Sequence, residues 1–490
     1  MKNIQSIPFI AFLIVLYVAR NAVPYAIYPL ILLLLPFTIY QFVNIKEAKQ
    51  SFVRSVKIFS PVILLILIEL VAIFCTVYPF KGLPLNFLKE ISFISIFLFL
   101  LSYHIRSKDD FTLLIEKIAK YFILFSIVIA ILGLWKFFYS PSFISYNNID
   151  GNFHFKWGSS LMSDYNFFTL FLLNGLIFGL YTILQSPQKI KYKVLFLMLL
   201  QIVIFTGFLS GSRRFIFCVS IFFIVSLLLS IPYLFKKAFS NTSSYKYILL
   251  FLGLSLFNLG FTYSFLSYFP LITEKAEKIF FIEGKNTDTN IFNVSNRINS
   301  AVSYYLIDVH KKEKVEINKR VANKKGDTIS TETVSAKTVS AEVDIAEEII
   351  PLTSSRQKLW SLGKEIYQEY SIPQKIFGFG FTFMDIFQKE TEKYFYPHYL
   401  FLSVLLFSGI IGLIIYIAIL LWSSIIYLFH LKKLAVLFFL FVINFIFIFF
   451  SFTDFFGASF YAFLFIIPLL YGYLHKYKKI IHRKIQKQID

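Results

Sequence analysis

Charge is the first thing this sequence lacks. Asp, Glu, Lys and Arg make up 16% of its 490 residues, where an ordinary soluble domain carries roughly 25%. So few charges cannot clothe a water-facing surface of that size, and a water-soluble fold is excluded. Cysteine is scarce too: Cys75 and Cys218 both lie inside apolar runs, which excludes a disulfide framework and a thiolate metal centre. No outer Asp-x-Asp or His/Asp cluster supplies the oxygen ligands of a divalent cation. The basic, apolar N-terminus has no small-residue cleavage site before the next apolar run, so it reads as a first short span rather than a signal peptide.

Apolar mass is what the chain has in excess: 57% hydrophobic residues, including 63 Phe and 30 Tyr. Twelve apolar segments stand out, at 7–19, 23–43, 58–77, 87–105, 121–138, 167–184, 194–208, 215–235, 247–269, 399–428, 434–452 and 459–474. A span needs about 20 residues, so the pattern predicts an all-α polytopic membrane protein of about 12 transmembrane helices. One large extracytoplasmic loop, 270–397, separates nine helices in 1–269 from three in 398–474, and a basic cytoplasmic tail follows at 475–490.

Basic residues orient this arrangement, because short Lys/Arg-rich connections stay in the cytoplasm. With both termini inside, the inner connections and tail carry 23 Lys and Arg and the short outer ones carry 7. The 270–397 loop holds 18 basic and 18 acidic residues, so the net charge of +20 belongs to the membrane part. That charge suits anionic membrane lipids and retention of the inner loops; it does not indicate nucleic acid. Within the loop, 309–343 is rich in Lys, Glu, Thr and Ser and repeats Thr-Val-Ser-Ala, a composition with little to bury and an expected flexible stretch. Beyond it, Leu359, Leu362, Ile366 and Tyr367 are spaced for an amphipathic helix ended by Pro373.

Polar groups at the membrane rim are costly and mark candidate chemistry. Ser210-Gly211-Ser212-Arg213-Arg214 forms a very short outer connection. Its two guanidinium groups suit a bidentate phosphate clamp, with snorkelling to lipid headgroups as the plainer alternative. Arg356 precedes Trp360 by one helical turn, and Gly378 and Gly380 follow. His398 stands where the chain re-enters the bilayer, ahead of Gly409 and Gly412. There it is either an interfacial residue or a base. Asp164 and Asn166 sit at the outer end of one span, and Glu69 lies within another, where it must face the interior, as a structural group or part of an ion path.

Together these motifs resemble the O-antigen ligase and O-antigen polymerase superfamily of bacterial envelope glycosyltransferases. The resemblance rests on Ser210-Gly211-Ser212-Arg213, Arg356 with Trp360, Gly378-x-Gly380, His398 eleven residues before Gly409-x-x-Gly412, and Asp164-Tyr165-Asn166. It covers about 161–474. Tyr399 stands where the family has Asn after the histidine, Phe407 where an acidic residue is frequent, and Tyr165 where it has Pro.

The resemblance implies transfer of an oligosaccharide or polysaccharide from a polyprenyl diphosphate carrier to an acceptor hydroxyl, on a glycan or a lipid A core, outside the cytoplasmic membrane. His398 would be the base; Arg213, Arg214 and Arg356 would hold the diphosphate; Ser212, Asp164, Asn166, Gly378 and Gly380 would support them, with no metal or cofactor. Arg213, which fills the motif position, is expected to outweigh Arg214. The alternative class is a lipid-linked oligosaccharide flippase or other transporter, with Glu69 as a coupling site. A third is a structural scaffold.

Overall fold

The computed structural model describes residues 2–23, 25–74, 76, 82–139, 159–162, 164–185, 190–210, 212–236, 249–262, 264, 352–391, 396–449 and 459–489. They form fifteen helices: α1 (Lys2–Ala19), α2 (Ile27–Phe42), α3 (Ile45–Phe74), α4 (Leu83–His104), α5 (Lys108–Tyr139), α6 (Tyr165–Gln185), α7 (Ile190–Leu209), α8 (Arg213–Lys236), α9 (Leu249–Thr262), α10 (Leu352–Glu369), α11 (Ile372–Phe377), α12 (Thr382–Thr391), α13 (Leu400–Phe429), α14 (Leu431–Phe449) and α15 (Ser459–Ile489). The protein is an all-α, multi-pass membrane protein.

Seven helices, not about twelve, are long and apolar enough to cross a bilayer among the described residues: α3, α4, α5, α6, α7, α13 and α14. The other apolar stretches, in α1, α2, α8, α9 and α15, extend over only 10–17 described residues. For α1 and α15 hydropathy overcounted because burial in protein demands the same residues as burial in lipid. Ile7, Ile10, Leu13, Val15 and Tyr17 of α1 are fully buried, as are Ala462 to Ile466 of α15. A helix apolar on every side is what a core position requires.

Helix ends follow local chemistry. α3 is bent at Phe59 (φ −109°, ψ 18°), two residues before Pro61, whose ring and missing N–H break the helical ladder. Its first half carries Lys46, Lys49, Arg54 and Lys57, and its second half carries the apolar run. The amphipathic helix expected around Leu359 is α10, with Leu359 and Ile366 buried. It ends at Glu369, before Pro373. That proline instead lies in the first turn of α11, where Ser371 N donates to Gln374 Oε1 at 2.9 Å in a capping box. The basic stretch after 474 continues α15, which runs helical to Ile489. The 309–343 stretch and Cys75 lie outside the described residues.

Polar pairs tie distant helices together. Asn174 of α6 and Asn444 of α14 exchange amide hydrogen bonds at 3.2 and 2.6 Å, both fully buried. Tyr17 donates to the Glu90 carboxylate at 2.6 Å, and Arg20 pairs with that same carboxylate, which joins α1 to α4. Glu69 faces the interior at 1% exposure, as a carboxyl group in an apolar span must.

The two ends of the bundle differ in chemistry. At one end, Arg54 donates to the Ser102 and Ile105 carbonyls, Lys108 lies 5.9 Å from the Tyr471 ring, and His430 faces His475. The opposite end gathers the C-termini of α5, α7 and α14 with the N-termini of α6, α8 and α13, and there the motif residues meet.

Candidate functional site

The Ser-x-Ser-Arg motif builds a turn. Ser210 Oγ donates to the Gly207 carbonyl at 2.6 Å and accepts Ser212 N at 3.2 Å. Ser212 Oγ accepts Phe215 N at 3.3 Å, the N-cap of α8. Gly207 is required beneath it: a Cβ there would lie 2.1 Å from the Phe215 ring. The turn therefore delivers two arginines to the first turn of α8, where unpaired backbone N–H groups already favour an anion.

Asp164 caps α6 in the same way, its Oδ1 accepting Asn166 N at 2.9 Å and Phe167 N at 3.4 Å. Asn166 then links the two helix starts, with its Oδ1 accepting from Ser212 Oγ at 3.0 Å. Ser212, Asp164 and Asn166 are thus brought together, through cap chemistry.

Arg214 is half-buried; its Nη1 donates to the Phe447 carbonyl at 3.4 Å and its guanidinium lies 5.9 Å from the Phe447 ring. The carbonyl belongs to the last turn of α14, where carbonyls lack helical partners. Asp164, Tyr165 and Tyr396 all act electrostatically on this guanidinium. Burial, and then the Asp164 carboxylate, raise the Tyr396 phenol above its ordinary range, against a smaller opposing effect of Arg214. The Tyr396 and His398 rings lie 4.3 Å apart at 59°. His398 itself has φ +52°, a left-handed conformation uncommon for a residue with a Cβ. Asp164, Arg214, Tyr396 and His398 therefore form one linked cluster from three separate parts of the chain.

Tyr399 is the residue before α13, with its carbonyl accepting Ser403 N at 3.0 Å. Its ring sits 5.3 Å from both Trp360 and Phe449. This aromatic bridge, with Gly363 admitting Leu402 where a Cβ would lie 2.8 Å away, seats α10 beside His398. Arg356 lies one turn before Trp360 on α10, so its backbone is placed near the same face. The side chains of Arg213 and Arg356 lie outside the described residues. Trp360 Nε1 is buried with no hydrogen-bond partner among the described residues.

Gly378 and Gly380 serve the backbone. α13 is broken at Gly409 (φ +67°, ψ −168°), which frees carbonyls that an intact helix would satisfy. Phe379 N donates to Leu406 O at 3.1 Å, Gly380 N to Phe407 O at 3.0 Å, and Tyr370 Oη to Leu406 O at 3.2 Å. Gly378 has φ +86°, and a Cβ on it would lie 2.0 Å from the Phe407 carbonyl; one on Gly380 would lie 2.1 Å from the Ala72 carbonyl of α3. The glycine pair thus threads an irregular strand between α3 and the break in α13. Irregular backbone at membrane depth is tolerated where protein buries it.

Sequence reasoning missed Tyr396, which no motif marks; its signal was an aromatic residue two positions before the histidine. No motif marks Lys136 either, yet its ammonium donates to the Ser160 carbonyl, next to Ser159, whose Oγ donates to the Thr206 carbonyl of α7 at 2.6 Å. Among the described residues no three His, Cys, Asp or Glu side chains are grouped as metal ligands. No family model, characterised protein or solved structure matches the chain.

Proposed function

We propose that the protein is a glycosyltransferase moving an oligosaccharide or polysaccharide from a polyprenyl diphosphate to an acceptor hydroxyl, in the manner of the O-antigen ligases and polymerases its motifs resemble. It works in a bacterial cytoplasmic membrane with the His398 end of the bundle and the 270–397 loop outside. The observation that supports this most is the linkage of His398, through Tyr396, to Arg214 and Asp164 at the start of two helices.

Transfer forms a bond from the acceptor oxygen to the anomeric carbon and breaks the bond from that carbon to the diphosphate. The hydroxyl proton passes to the His398 imidazole. The electron pair leaves with the diphosphate, whose growing charge is met by Arg214 and the N–H groups of the first turn of α8, with Arg213 and Arg356 as further cations. Arg214 enters this role held by the Phe447 carbonyl, so little reorganisation is required of it. The lipid tail stays between helices while the sugar lies outside.

A second reading, a lipid-linked oligosaccharide transporter, is favoured by the buried Glu69 and the broken α13, since transporters bind at discontinuous helices. Purified protein in vesicles with a polyprenyl-diphosphate glycan and acceptor separates the two. Product formation that falls about 10²–10⁴-fold in His398→Gln supports transfer with His398 as base. Full turnover in His398→Gln removes the base. Movement of the lipid-linked glycan across the vesicle without product replaces transferase by transporter.

A further inference from the structure

Ahead of α6 the segment 159–162 lies against the ends of α5 and α7, with Ser159 and Ser160 fully buried. Three bonds fix it there. The Lys136 ammonium, in the last turn of α5, donates to the Ser160 carbonyl. Ser159 Oγ donates to the Thr206 carbonyl of α7 at 2.6 Å. Ser160 Oγ closes the segment on itself, accepting Met162 N at 3.3 Å. Gly133 lets α5 come this near: a Cβ there would lie 2.6 Å from the Ser159 carbonyl oxygen and 3.1 Å from the Thr206 methyl.

A lysine at the end of a membrane helix ordinarily snorkels outward to water or headgroups. Here its ammonium is turned onto the backbone carbonyl of a buried residue, and a charged donor makes that bond one of the stronger kind. The segment leads, two residues on, to Asp164, which caps α6, and then to Asn166, the acceptor of Ser212 Oγ. Its attachment to α7 uses the same carbonyl that Ser210 N binds at 3.2 Å. The segment is therefore joined twice to the turn that carries Arg214, once through Thr206 and once through Asn166.

We infer that Lys136 is a positioning residue for the diphosphate site at the first turn of α8, acting through the 159–162 segment rather than by touching the phosphates. The inference rests on the reading of that helix start as the place where a polyprenyl diphosphate binds. Without the ammonium the buried Ser160 carbonyl loses its cationic donor. The segment then shifts, and Asn166 and the Thr206 carbonyl shift with it. The N–H groups of α8 and Arg214 are left out of register with the phosphate oxygens they would meet.

Binding of polyprenyl diphosphate, without sugar, to the detergent-solubilised full chain tests it in Lys136→Met, Lys136→Arg, Ser159→Ala and the Lys136→Met, Ser159→Ala double variant. Thermal unfolding certifies each fold. Lys136→Met and Ser159→Ala should each lose about fivefold in affinity, the strength of one hydrogen bond, although Ser159→Ala changes no charge. Lys136→Arg keeps a cationic donor and should change affinity by no more than about twofold. The double variant should bind no worse than the weaker single one, since both bonds hold one segment. Full affinity in folded Lys136→Met overturns the inference, even where its unfolding temperature drops, which is the mark of a purely structural lysine. If Lys136→Met does not fold, full affinity in Ser159→Ala overturns it instead. Loss in Lys136→Met with none in Ser159→Ala, or losses that add in the double variant, assigns Lys136 to direct phosphate contact and overturns it too. A wild type that does not bind polyprenyl diphosphate removes the site and the inference together. A wild type that binds it with the expected variant pattern, yet transfers no glycan to an acceptor, overturns the transferase alone.

Discussion

Alanine at Gly378 separates two readings of the Gly-x-Gly motif, one catalytic and one architectural. Three glycines form a series. Gly253 in α9 has ordinary φ and no atom within 4 Å of an added Cβ; Gly82 has φ +78° and the same open space; Gly378 has φ +86° and the Phe407 carbonyl at 2.0 Å. Gly253→Ala should be neutral or gain up to about 1 kcal/mol from helix propensity. Gly82→Ala should cost about 1–2 kcal/mol for the left-handed backbone alone. Gly378→Ala adds a collision with backbone, which no rotamer relieves. Backing away breaks the Phe379 N–Leu406 O and Gly380 N–Phe407 O bonds, at about 1 kcal/mol each. The sum is roughly 3–4 kcal/mol. Denaturant unfolding in mixed micelles measures all three. If Gly378→Ala is no worse than Gly82→Ala, the interlock with α13 is not tight and the architectural account fails.

The buried amide pair should show strong coupling: Asn174→Leu or Asn444→Leu alone should cost about 1–3 kcal/mol by orphaning its partner, while the double variant recovers most of that; additive losses in the unfolding assay would refute the pairing. His430, beyond the end of α13, has its imidazole held below the ordinary value by burial, then by Lys108 and Lys433, with His475 and Tyr471 also against its ring. Below about pH 6.5 the unfolded chain therefore binds more protons than the folded one, and stability falls as pH drops from there through the lowered value. His430→Gln should flatten the slope of unfolding midpoint against pH between 7.5 and 5; an unchanged slope assigns it elsewhere. An impermeant thiol reagent on intact cells should label single cysteines placed in 309–343 and spare those after Lys476; the reverse pattern would invert the proposed orientation.

Much of the candidate site was legible because its motifs are local. Ser210 to Arg214 forms a turn by hydrogen bonds spanning three residues or fewer, and Asp164 caps its own helix. Short-range chemistry of that kind shows in the order of residues. Tyr396 was not legible, since its importance comes from lying between His398 and the Arg214 of a helix about 180 residues away. Gly378 and Gly380 were read as site supports because their spacing gives no sign of the partner backbone, which belongs to α3 and to the break in α13.

Low charge together with apolar runs of spanning length determined that the chain is helical and lies in a membrane, because a continuous apolar run of about 20 residues satisfies its backbone in lipid only as a helix. Only the tertiary structure decided which apolar helices are long enough to span and which fill the protein. α1 and α7 are both apolar, but Leu13 and Val15 of α1 are fully buried while Leu195 and Met198 of α7 are 60% and 49% exposed. Lipid tails and a protein core make the same demand on a side chain, so hydropathy cannot tell them apart; the surrounding helices can.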